Sequence, residues 1–136
     1  MSDDQPPPGP REVLELFRAA SLAHSVEGMA RVYAEDAVHD FPFTVPGVPS
    51  RVSGRDAIVA FIAANWERSP LRVERYRTVS LLETTDPNTI VVEQEASGTT
   101  RAGRPFTAPN LVILTVRDGR IRRFRDYLNL AAPPGD

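Results

Sequence analysis

The first half of the chain repeats its apolar residues at the spacing of α-helices. A helix is predicted over residues 11–22, and a second short helix is predicted after Ser25, a residue type that caps helix N-termini. Ser53 followed by Asp56 resembles a capping box and predicts a third helix that ends near Trp66. The predicted buried faces consist of Val13, Leu14, Phe17 and Ala20, then Met29, Val32 and Tyr33, then Ile58, Phe61 and Ile62.

The second half changes to the pattern of β-strands. Its β-rich runs are joined by TDPN, AG and DG, and a DG pair between two such runs is a strong signal for a two-residue hairpin. A shorter strand is predicted at residues 37–43, before a proline-rich loop. Helices followed by antiparallel strands predict an α+β domain whose helices cover one face of the sheet. The long predicted strands span residues 72–83, 89–100, 104–117 and 120–130.

Composition indicates one globular domain of ordinary size. The chain has 136 residues and a net charge of −2, so its charge does not favour nucleic acid or an anionic membrane as a partner. Residues 1–10 are acidic and proline-rich, unlike a signal peptide, and predict a disordered arm. The single domain is then expected at 11–130, with a tail at 131–136. No apolar run approaches the ~20 residues of a spanning helix, so we expect a cytoplasmic protein.

The residue types that are missing limit the chemistry. The chain has no cysteine, and all 16 of its basic residues are arginine. Disulfides, thiolate nucleophiles, zinc–sulfur sites and lysine Schiff bases are therefore excluded. Any chemistry must come from carboxylates, hydroxyls, amides, arginines and two histidines, and we predict no cofactor and no metal.

The register of the last hairpin decides where Asp126 points. If Asp118 and Gly119 form a two-residue turn, Arg117 opposes Arg120, and residues that oppose each other share a face. Asp126 then points away from the arginines next to it in the sequence. The predicted Asp126 face carries Phe124, Asp126, Leu128, Ile113, Leu111 and Pro109, and the opposite face carries Ile121, Arg123, Arg125, Tyr127, Val116, Leu114, Val112 and Asn110.

Extending this register to the neighbouring strands sorts the remaining polar residues. Tyr76 and Gln94 join the Asp126 face, which is otherwise almost entirely apolar and is therefore the face that the helices must cover. The opposite face indicates a partly solvated surface or a subunit contact, and the asparagines on it are interpreted as structural. Its predicted polar members are a balanced ionic lattice of Glu93, Glu95, Arg75, Arg77, Arg123 and Arg125, together with Asn110 and Asn129.

Its position on the covered face makes Asp126 the candidate catalytic residue. A carboxylate that loses its hydration is shifted towards the neutral acid. Such a group is a usual device for proton transfer near neutral pH. The alternative is that Asp126 caps a backbone group or pairs with Arg122, because carboxylates in such settings are also structural.

His39 and several aromatic residues are further candidates for the same site. His39 is predicted to shuttle protons with Asp126 or to anchor a substrate, and the alternative is a half-buried histidine bonded to backbone. Its neighbour Asp40 has the opposite orientation, so only one of the two is expected to face the interior. Aromatic residues at helical spacing are more often plain core. The candidate substrate-binding residues are Tyr33, Asp40, Trp66, Tyr76, Gln94, Leu111, Phe124 and Leu128.

Several of these segments together resemble a known superfamily. YAEDAVHDFPF after the first helices, the helix start SGRDAI, and the strands VVEQEASGTT and VRDGRIRRFRDYLN are similar to nuclear-transport-factor-2-like (NTF2-like) proteins. The likeness is greatest to the SnoaL-like polyketide cyclases and the phenazine-biosynthesis A/B proteins. The latter share TDPN before a strand with VE, and DGRI before an arginine, an acidic residue, an aromatic, an aliphatic and Asn. The resemblance covers about residues 11–130.

The resemblance implies a cone-shaped fold. In it, a curved antiparallel sheet wraps around the N-terminal helices and encloses a ligand cavity, usually in a homodimer. An acidic residue on the last strand of relatives acts as an acid–base catalyst without a metal or organic cofactor, and the matching residue here is Asp126. The phenazine-type proteins carry glutamate there, which leaves the substrate geometry open.

These inferences give one leading hypothesis and two alternatives. The leading hypothesis is a cofactor-free acid–base enzyme that cyclises, condenses or isomerises an apolar oxygenated metabolite, as in secondary metabolism. Asp126 would move the proton, and neighbouring polar groups would hold the developing oxyanion. The alternatives are a non-catalytic small-molecule binding module and a dimeric association domain with a filled cone. We expect any homodimer to form through the outer sheet face.

Overall fold

The computed structural model describes residues 5–43 and 46–129, which form three helices and a six-stranded sheet. The helices are α1 (Pro10–Leu22), α2 (Val26–Val32) and α3 (Arg55–Arg68). The strands are β1 (Tyr33–Asp40), β2 (Arg51–Ser53), β3 (Leu71–Glu83), β4 (Thr89–Thr100), β5 (Pro105–Arg117) and β6 (Arg120–Tyr127). The predicted α+β order is confirmed. Parts of the predicted arm and tail, residues 1–4 and 130–136, lie outside the described residues.

The first two helices begin at side-chain caps. The Glu12 carboxylate accepts a hydrogen bond of 2.8 Å from the backbone N–H of Gly9. The predicted cap of α2 is present, because the Ser25 hydroxyl accepts a hydrogen bond of 2.9 Å from the N–H of Gly28. Both contacts use N–H groups at the helix start that have no carbonyl partner within the helix.

The start of α3 differs from its prediction. Gly54 occupies the N-cap with a φ of 92°, a conformation that favours glycine, and no side-chain cap forms there. The capping box of Ser53 and Asp56 is therefore wrong, since Ser53 belongs to the short strand β2. The Asp56 carboxylate instead lies 3.6 Å from the guanidinium of Arg55.

The strands form one sheet in the order β2-β1-β6-β5-β4-β3. The predicted antiparallel meander is confirmed for β3 to β6, and β1 joins this meander in parallel beside β6. The parallel pairing aligns His39 with Phe124. It therefore brings β1, from the first third of the chain, next to the last strand.

A β-bulge in the last hairpin changes the predicted register. Arg117 opposes Arg120 as predicted, but the pairing shifts between Thr115 and Val116, so that Asp126 opposes Val112. The face assignment is therefore correct for β6 from Arg123 onwards, wrong for Ile121, which is buried in the core, and wrong for β5. In β5 the inward-facing residues are Asn110, Val112 and Leu114, and Leu111 points to the outer face.

The register between β4 and β5 also differs from the prediction by one residue, and this second shift returns Gln94 to the same face as Asp126. Thr99 opposes Pro105, so that Gln94 pairs with Asn110 instead of Leu111. Gln94 still faces the interior, as predicted, and is buried. The core lies between the helices and this inner face, and its largest almost fully buried side chains include Leu14, Met29, Tyr33, Ile58, Val92 and Val112. No helix among the described residues is long and apolar enough to span a membrane.

β3 and β4 approach each other closely at Gly98. β3 contains an irregularity between Val73 and Arg75, directly opposite this glycine. A Cβ atom on Gly98 would overlap the backbone carbonyl oxygen of Arg72. Glycine is therefore required at this position by the path of β3, and not by its own φ angle.

The polar groups at the β1 end of the sheet differ from the predicted lattice. Arg77 and Glu95 form the expected ion pair on the outer face, with a distance of 2.9 Å. Arg123, which was expected in that lattice, instead bonds the buried Asp40 at 2.9 Å, and Arg51 bonds the same carboxylate at 2.6 Å. Burial alone would raise the pKa of Asp40, but the hydrogen bonds and charges of the two arginines outweigh it and lower this pKa.

Candidate active site

A cavity of about 630 Å³ lies between the helices and the inner face of the sheet. Apolar and aromatic side chains form most of its wall, including Phe17, Phe41, Phe61, Trp66, Phe124 and Leu128. Its polar lining includes Ser21, His39, Tyr76, Gln94, Asn110 and Asp126. A predominantly apolar pocket with a few convergent polar groups is typical of small-molecule sites.

Asp126 reaches this cavity from the end of β6. Its side chain is 18% exposed, and its Oδ1 atom accepts a hydrogen bond of 3.1 Å from Nδ2 of Asn110. Its Oδ2 atom lies 3.5 Å from Nε2 of His39. The two oxygens of this carboxylate therefore have different neighbours, an amide on one side and an imidazole on the other.

His39 is held between a buried hydroxyl and an aromatic ring. Its Nδ1 atom lies 3.0 Å from the hydroxyl of Tyr33, and its ring stacks on Phe124 at 4.4 Å. Burial, and to a lesser extent the charge of Asp126, raises the pKa of Tyr33, so this hydroxyl keeps its proton. Nε2 of His39 is buried and has no hydrogen-bond partner among the described residues.

A series of hydrogen bonds connects Asp126 to helix α1. Nε2 of Gln94 donates to Oδ1 of Asn110 at 3.2 Å, and Arg18 donates to Oε1 of Gln94 at 2.8 Å. Arg18 is only 7% exposed, and its other nitrogen donates to Glu15 at 3.1 Å. A charged guanidinium is thus buried directly behind the cavity wall.

Tyr76 adds a second hydroxyl to the wall. Its oxygen lies 2.8 Å from the hydroxyl of Ser21, and the guanidinium of Arg18 lies 5.7 Å from the centre of its ring. Burial raises the pKa of Tyr76, although Ser21 and Arg18 partly oppose this effect. Tyr76 therefore presents a neutral phenol, which is able to donate a hydrogen bond.

The structure brings most of the predicted site residues together. His39 and Asp126 line the cavity, as do Trp66, Tyr76, Gln94, Phe124 and Leu128.

Three predicted substrate-binding residues lie elsewhere. Tyr33 is fully buried behind His39 and does not line the cavity. Asp40 points to Arg51 and Arg123, as expected for a residue that alternates with His39 along a strand. Leu111 turns to the outer face because of the bulge in β6.

Several cavity residues were not predicted. Asn110 and Asn129 were placed on the outer face, but both line the cavity. The misplacement of Asn110 follows from the unrecognised bulge, because one offset in the register reverses every side chain of β5. The position of Arg18 in the sequence indicates burial, because it lies four residues after Leu14, on the predicted buried face of the first helix.

Within residues 5–43 and 46–129, no group of three or more His, Cys, Asp or Glu is arranged to hold a metal ion.

Two relatives by sequence cover most of the chain. The YesE protein of Bacillus subtilis is 29% identical over 119 residues, which are 87% of this chain and 80% of YesE. A PhzA/B-like protein of Pseudomonas aeruginosa is 29% identical over 103 residues, which are 75% of this chain and 71% of that protein.

Solved structures share the fold. A candidate isomerase from Bacillus subtilis has a TM-score of 0.77 and 28% identity, covering 88% of this chain and 85% of that one. The Δ5-3-ketosteroid isomerase of a Mycobacterium species has a TM-score of 0.72, 22% identity, and coverage of 91% and 95%. A Mycobacterium tuberculosis protein in complex with estradiol-17β-hemisuccinate has a TM-score of 0.71, 19% identity, and coverage of 88% and 93%.

The family model of the SnoaL-like domain matches residues 13–124, which include most of α1, all of α2 and α3, and the first five strands. The matched segment ends at Phe124, two residues before the carboxylate in the cavity wall. Together with the cone-shaped architecture, this match shows that the chain belongs to the SnoaL-like family of the NTF2-like superfamily.

Proposed function

We propose that this protein is an acid–base enzyme that cyclises, condenses or isomerises a small, largely apolar oxygenated molecule. The observation that carries the proposal is the Asp126 carboxylate, which sits in an apolar cavity 3.5 Å from Nε2 of His39. The class of substrate follows from the cavity, because about 630 Å³ of mainly apolar space suits a compact ring system with few oxygens. The ketosteroid isomerase and the estradiol complex of the same fold support this class.

The proposed reaction begins with proton transfer at carbon. Oδ2 of Asp126 takes a proton from a carbon next to a carbonyl, and the electrons of the broken C–H bond move to the carbonyl oxygen as an enolate. Return of that proton to a different carbon isomerises the substrate. Attack of the enolate carbon on a second carbonyl closes a ring or completes a condensation, and the proton then goes to the new alkoxide.

The polar residues near Asp126 supply the other requirements of this step. The neutral phenol of Tyr76 lines the same cavity and is able to donate a hydrogen bond to the developing oxyanion. His39 faces Oδ2, so its imidazole is placed to orient and stabilise the carboxylate that takes the proton. The mechanism requires only groups of this chain.

The substitution Asp126→Asn tests the catalytic role. It keeps the size of the side chain and removes the proton acceptor, so we expect a loss of about 10²- to 10⁴-fold in turnover with ligand binding retained. Before the natural substrate is known, the activity is measured as carbon–deuterium exchange of β,γ-unsaturated steroid ketones in D₂O, followed by NMR.

Asp118→Asn is the matched control for this substitution. It makes the same chemical change in the exposed β5–β6 turn, at a residue with a φ of 54° that asparagine tolerates. A folded Asp126→Asn protein with unchanged exchange would refute the catalytic role. Ligand binding by the wild-type protein, without exchange or turnover of any probe, would favour the alternative of a non-catalytic binding module.

We also propose that the protein is a cytoplasmic homodimer that acts in secondary metabolism. The dimer contact would be the outer sheet face, where Val79 and Leu82 of β3 are exposed near the Arg77–Glu95 ion pair. Exposed apolar residues within a polar rim are common at subunit contacts. A monomeric mass in sedimentation equilibrium at micromolar protein concentration would contradict the dimer.

A further inference from the structure

The hydrogen bonds from Arg18 to Asp126 all run in one direction. Arg18 donates to Gln94, Gln94 donates to Asn110, and Asn110 donates to Asp126, with distances of 2.8, 3.2 and 3.1 Å. We call these four residues the Arg18 relay. Its members lie on α1, β4, β5 and β6, so the relay connects the first helix to three neighbouring strands of the sheet.

The direction of the Arg18 relay is fixed by its two ends. A guanidinium has only donors, so the atom of Gln94 that it meets must be the carbonyl oxygen. The Gln94 amide must then present its NH₂ group to Asn110, whose own NH₂ group is left to face Asp126. An ionised carboxylate has only acceptors, which is the partner that this last NH₂ group requires.

This arrangement distinguishes the two oxygens of Asp126. A proton on Oδ1 would weaken the hydrogen bond that this oxygen accepts from Asn110, because a neutral carboxyl oxygen is a poorer acceptor than an ionised one. Reversal of the Asn110 amide to accept such a proton would leave its NH₂ group facing the NH₂ group of Gln94. The cost of reversal is large because these groups are buried and would lose their partners. Oδ2 lies 3.5 Å from Nε2 of His39, which makes no hydrogen bond among the described residues, so no donor is fixed on this oxygen as Asn110 is fixed on Oδ1.

We propose that Arg18 is a positioning residue which, through Gln94 and Asn110, keeps Oδ1 of Asp126 as an acceptor and leaves Oδ2 as the atom that takes and returns the proton. The reaction itself rests on the function proposed above. The effect of Arg18 on the Asp126 carboxylate is present in the protein without substrate and is measured in that state.

The burial of Arg18 supports a role beyond an ion pair with Glu15. The side chain of Glu15 is 68% exposed, whereas that of Arg18 is 8% exposed, so the pair would form equally well at the surface. Burial of a guanidinium is costly, and Nε of Arg18 is buried without a hydrogen-bond partner among the described residues. The contact with Gln94 lies deepest in the protein, so it is the one that offsets this burial. The other titratable groups that face Asp126 are His39, Tyr33 and Tyr76.

The test compares two ways of breaking the relay. Arg18→Met removes the cation, and Gln94→Met keeps the cation but removes the amide that transmits the orientation. Either change frees Asn110 to rotate, so the Asp126 anion loses a fixed donor. We expect the midpoint of its ¹³C carboxyl titration to move to higher pH, because a carboxylate that loses a fixed hydrogen-bond donor binds a proton more tightly.

The measurement includes three controls. Arg31→Met removes one exposed arginine of α2 and is expected to leave the titration unchanged. Arg18→Lys keeps a charged donor and is expected to restore most of the wild-type midpoint. The His39 imidazole signals are followed in the same samples because coupled groups titrate together.

The outcomes separate a relay from a simple field effect. If Arg18→Met shifts the midpoint and Gln94→Met does not, the charge of Arg18 acts directly and the relay is refuted. If Arg18→Met, Gln94→Met and the variant with both changes all shift the midpoint by the same amount, the Arg18 relay is supported, because residues of one network have non-additive effects. An unshifted midpoint in folded Gln94→Met protein overturns the inference even if Arg18→Met fails to fold.

The result is independent of the proposed function. A shifted titration in a protein whose Asp126→Asn variant keeps full turnover would support the relay and refute the catalytic role. If turnover does depend on Asp126, both relay variants should also move the acidic limb of the pH–activity profile in the same direction as the titration.

Discussion

Three side chains determine how a proton is held at the cavity wall. The hydroxyl of Tyr33 keeps its proton because burial raises its pKa, and Nδ1 of His39 lies 3.0 Å away. If the hydroxyl donates to Nδ1, the imidazole hydrogen must be on Nε2, where it faces Oδ2 of Asp126. With the hydroxyl as donor, the buried tyrosine selects the tautomer of His39 that is complementary to an ionised Asp126.

The substitution Tyr33→Phe tests this assignment. It leaves Nδ1 of His39 buried without its partner, so we expect the free energy of unfolding to fall by about 1–3 kcal/mol in a urea titration. Tyr127→Phe removes the same hydroxyl from the outer face of β6 and should cost less. The ¹⁵N signals of His39 should show mainly the Nε2–H tautomer in the wild-type protein and a mixture in Tyr33→Phe. A mixture already present in the wild-type protein would contradict the assignment.

At the scale of residues, the direction of a side chain was predictable from the sequence where apolar residues flank it at strand spacing. Phe124 and Leu128 flank Asp126 at strand spacing, so an inward carboxylate followed from alternation alone. Asn110 was not predictable in this way, because its face depends on a bulge in the partner strand. Helical spacing alone was not enough to predict the burial of Arg18, because arginine is seldom buried without a partner and its partner Gln94 is distant in sequence.

At the scale of elements, irregularities of the strands position the site. The bulge in β6 adds one residue before Phe124, so both Ile121 and Phe124 remain buried although three positions separate them. The DG turn predicted the hairpin itself. The bulge was not predictable, because its effect on stability depends on the curvature of the whole sheet and not on local residue types.

The close approach of β3 and β4 leads to a prediction for Gly98→Ala. The added methyl group would overlap the carbonyl of Arg72, which is backbone and cannot move aside like a side chain. We expect a loss of about 1–3 kcal/mol or more in the free energy of unfolding, measured with urea. Gly9→Ala is the control, because its new methyl group would meet only the flexible end of Glu12 at 3.2 Å. Equal stability of the two variants would show that β3 adapts.

At the scale of the whole molecule, the buried Asp40 joins strands from both ends of the chain. Its carboxylate binds Arg51 of β2 and Arg123 of β6, and it belongs to β1 between them. These contacts lower the pKa of Asp40 in the folded protein below its unfolded value. The unfolded chain therefore binds a proton first as the pH falls, and the stabilisation by Asp40 is present above a pH of about 4 and lost below it.

Acid unfolding provides the measurement. The free energy of unfolding of the wild-type protein should decrease as the pH falls from about 4 through the lowered pKa of Asp40, and Asp40→Asn should remove part of this slope. At neutral pH, Asp40→Asn should be less stable by about 1–3 kcal/mol, because it loses two charge-assisted hydrogen bonds. Asp118→Asn, in the exposed β5–β6 turn, measures the background of a lost surface charge. An unchanged acid slope in Asp40→Asn would mean that other carboxylates dominate.

The parallel pairing of β1 with β6 has a consequence for how the candidate site forms during folding. The β3–β6 meander consists of local hairpins, but His39 meets Asp126 only after a strand from early in the chain docks beside the last one. Contacts between such distant segments are the slow ones to form, since a long loop must first be closed. We therefore expect a refolding chain to regain its hairpins before the His39–Asp126 contact, and a nascent chain to lack this contact until β6 has left the ribosome.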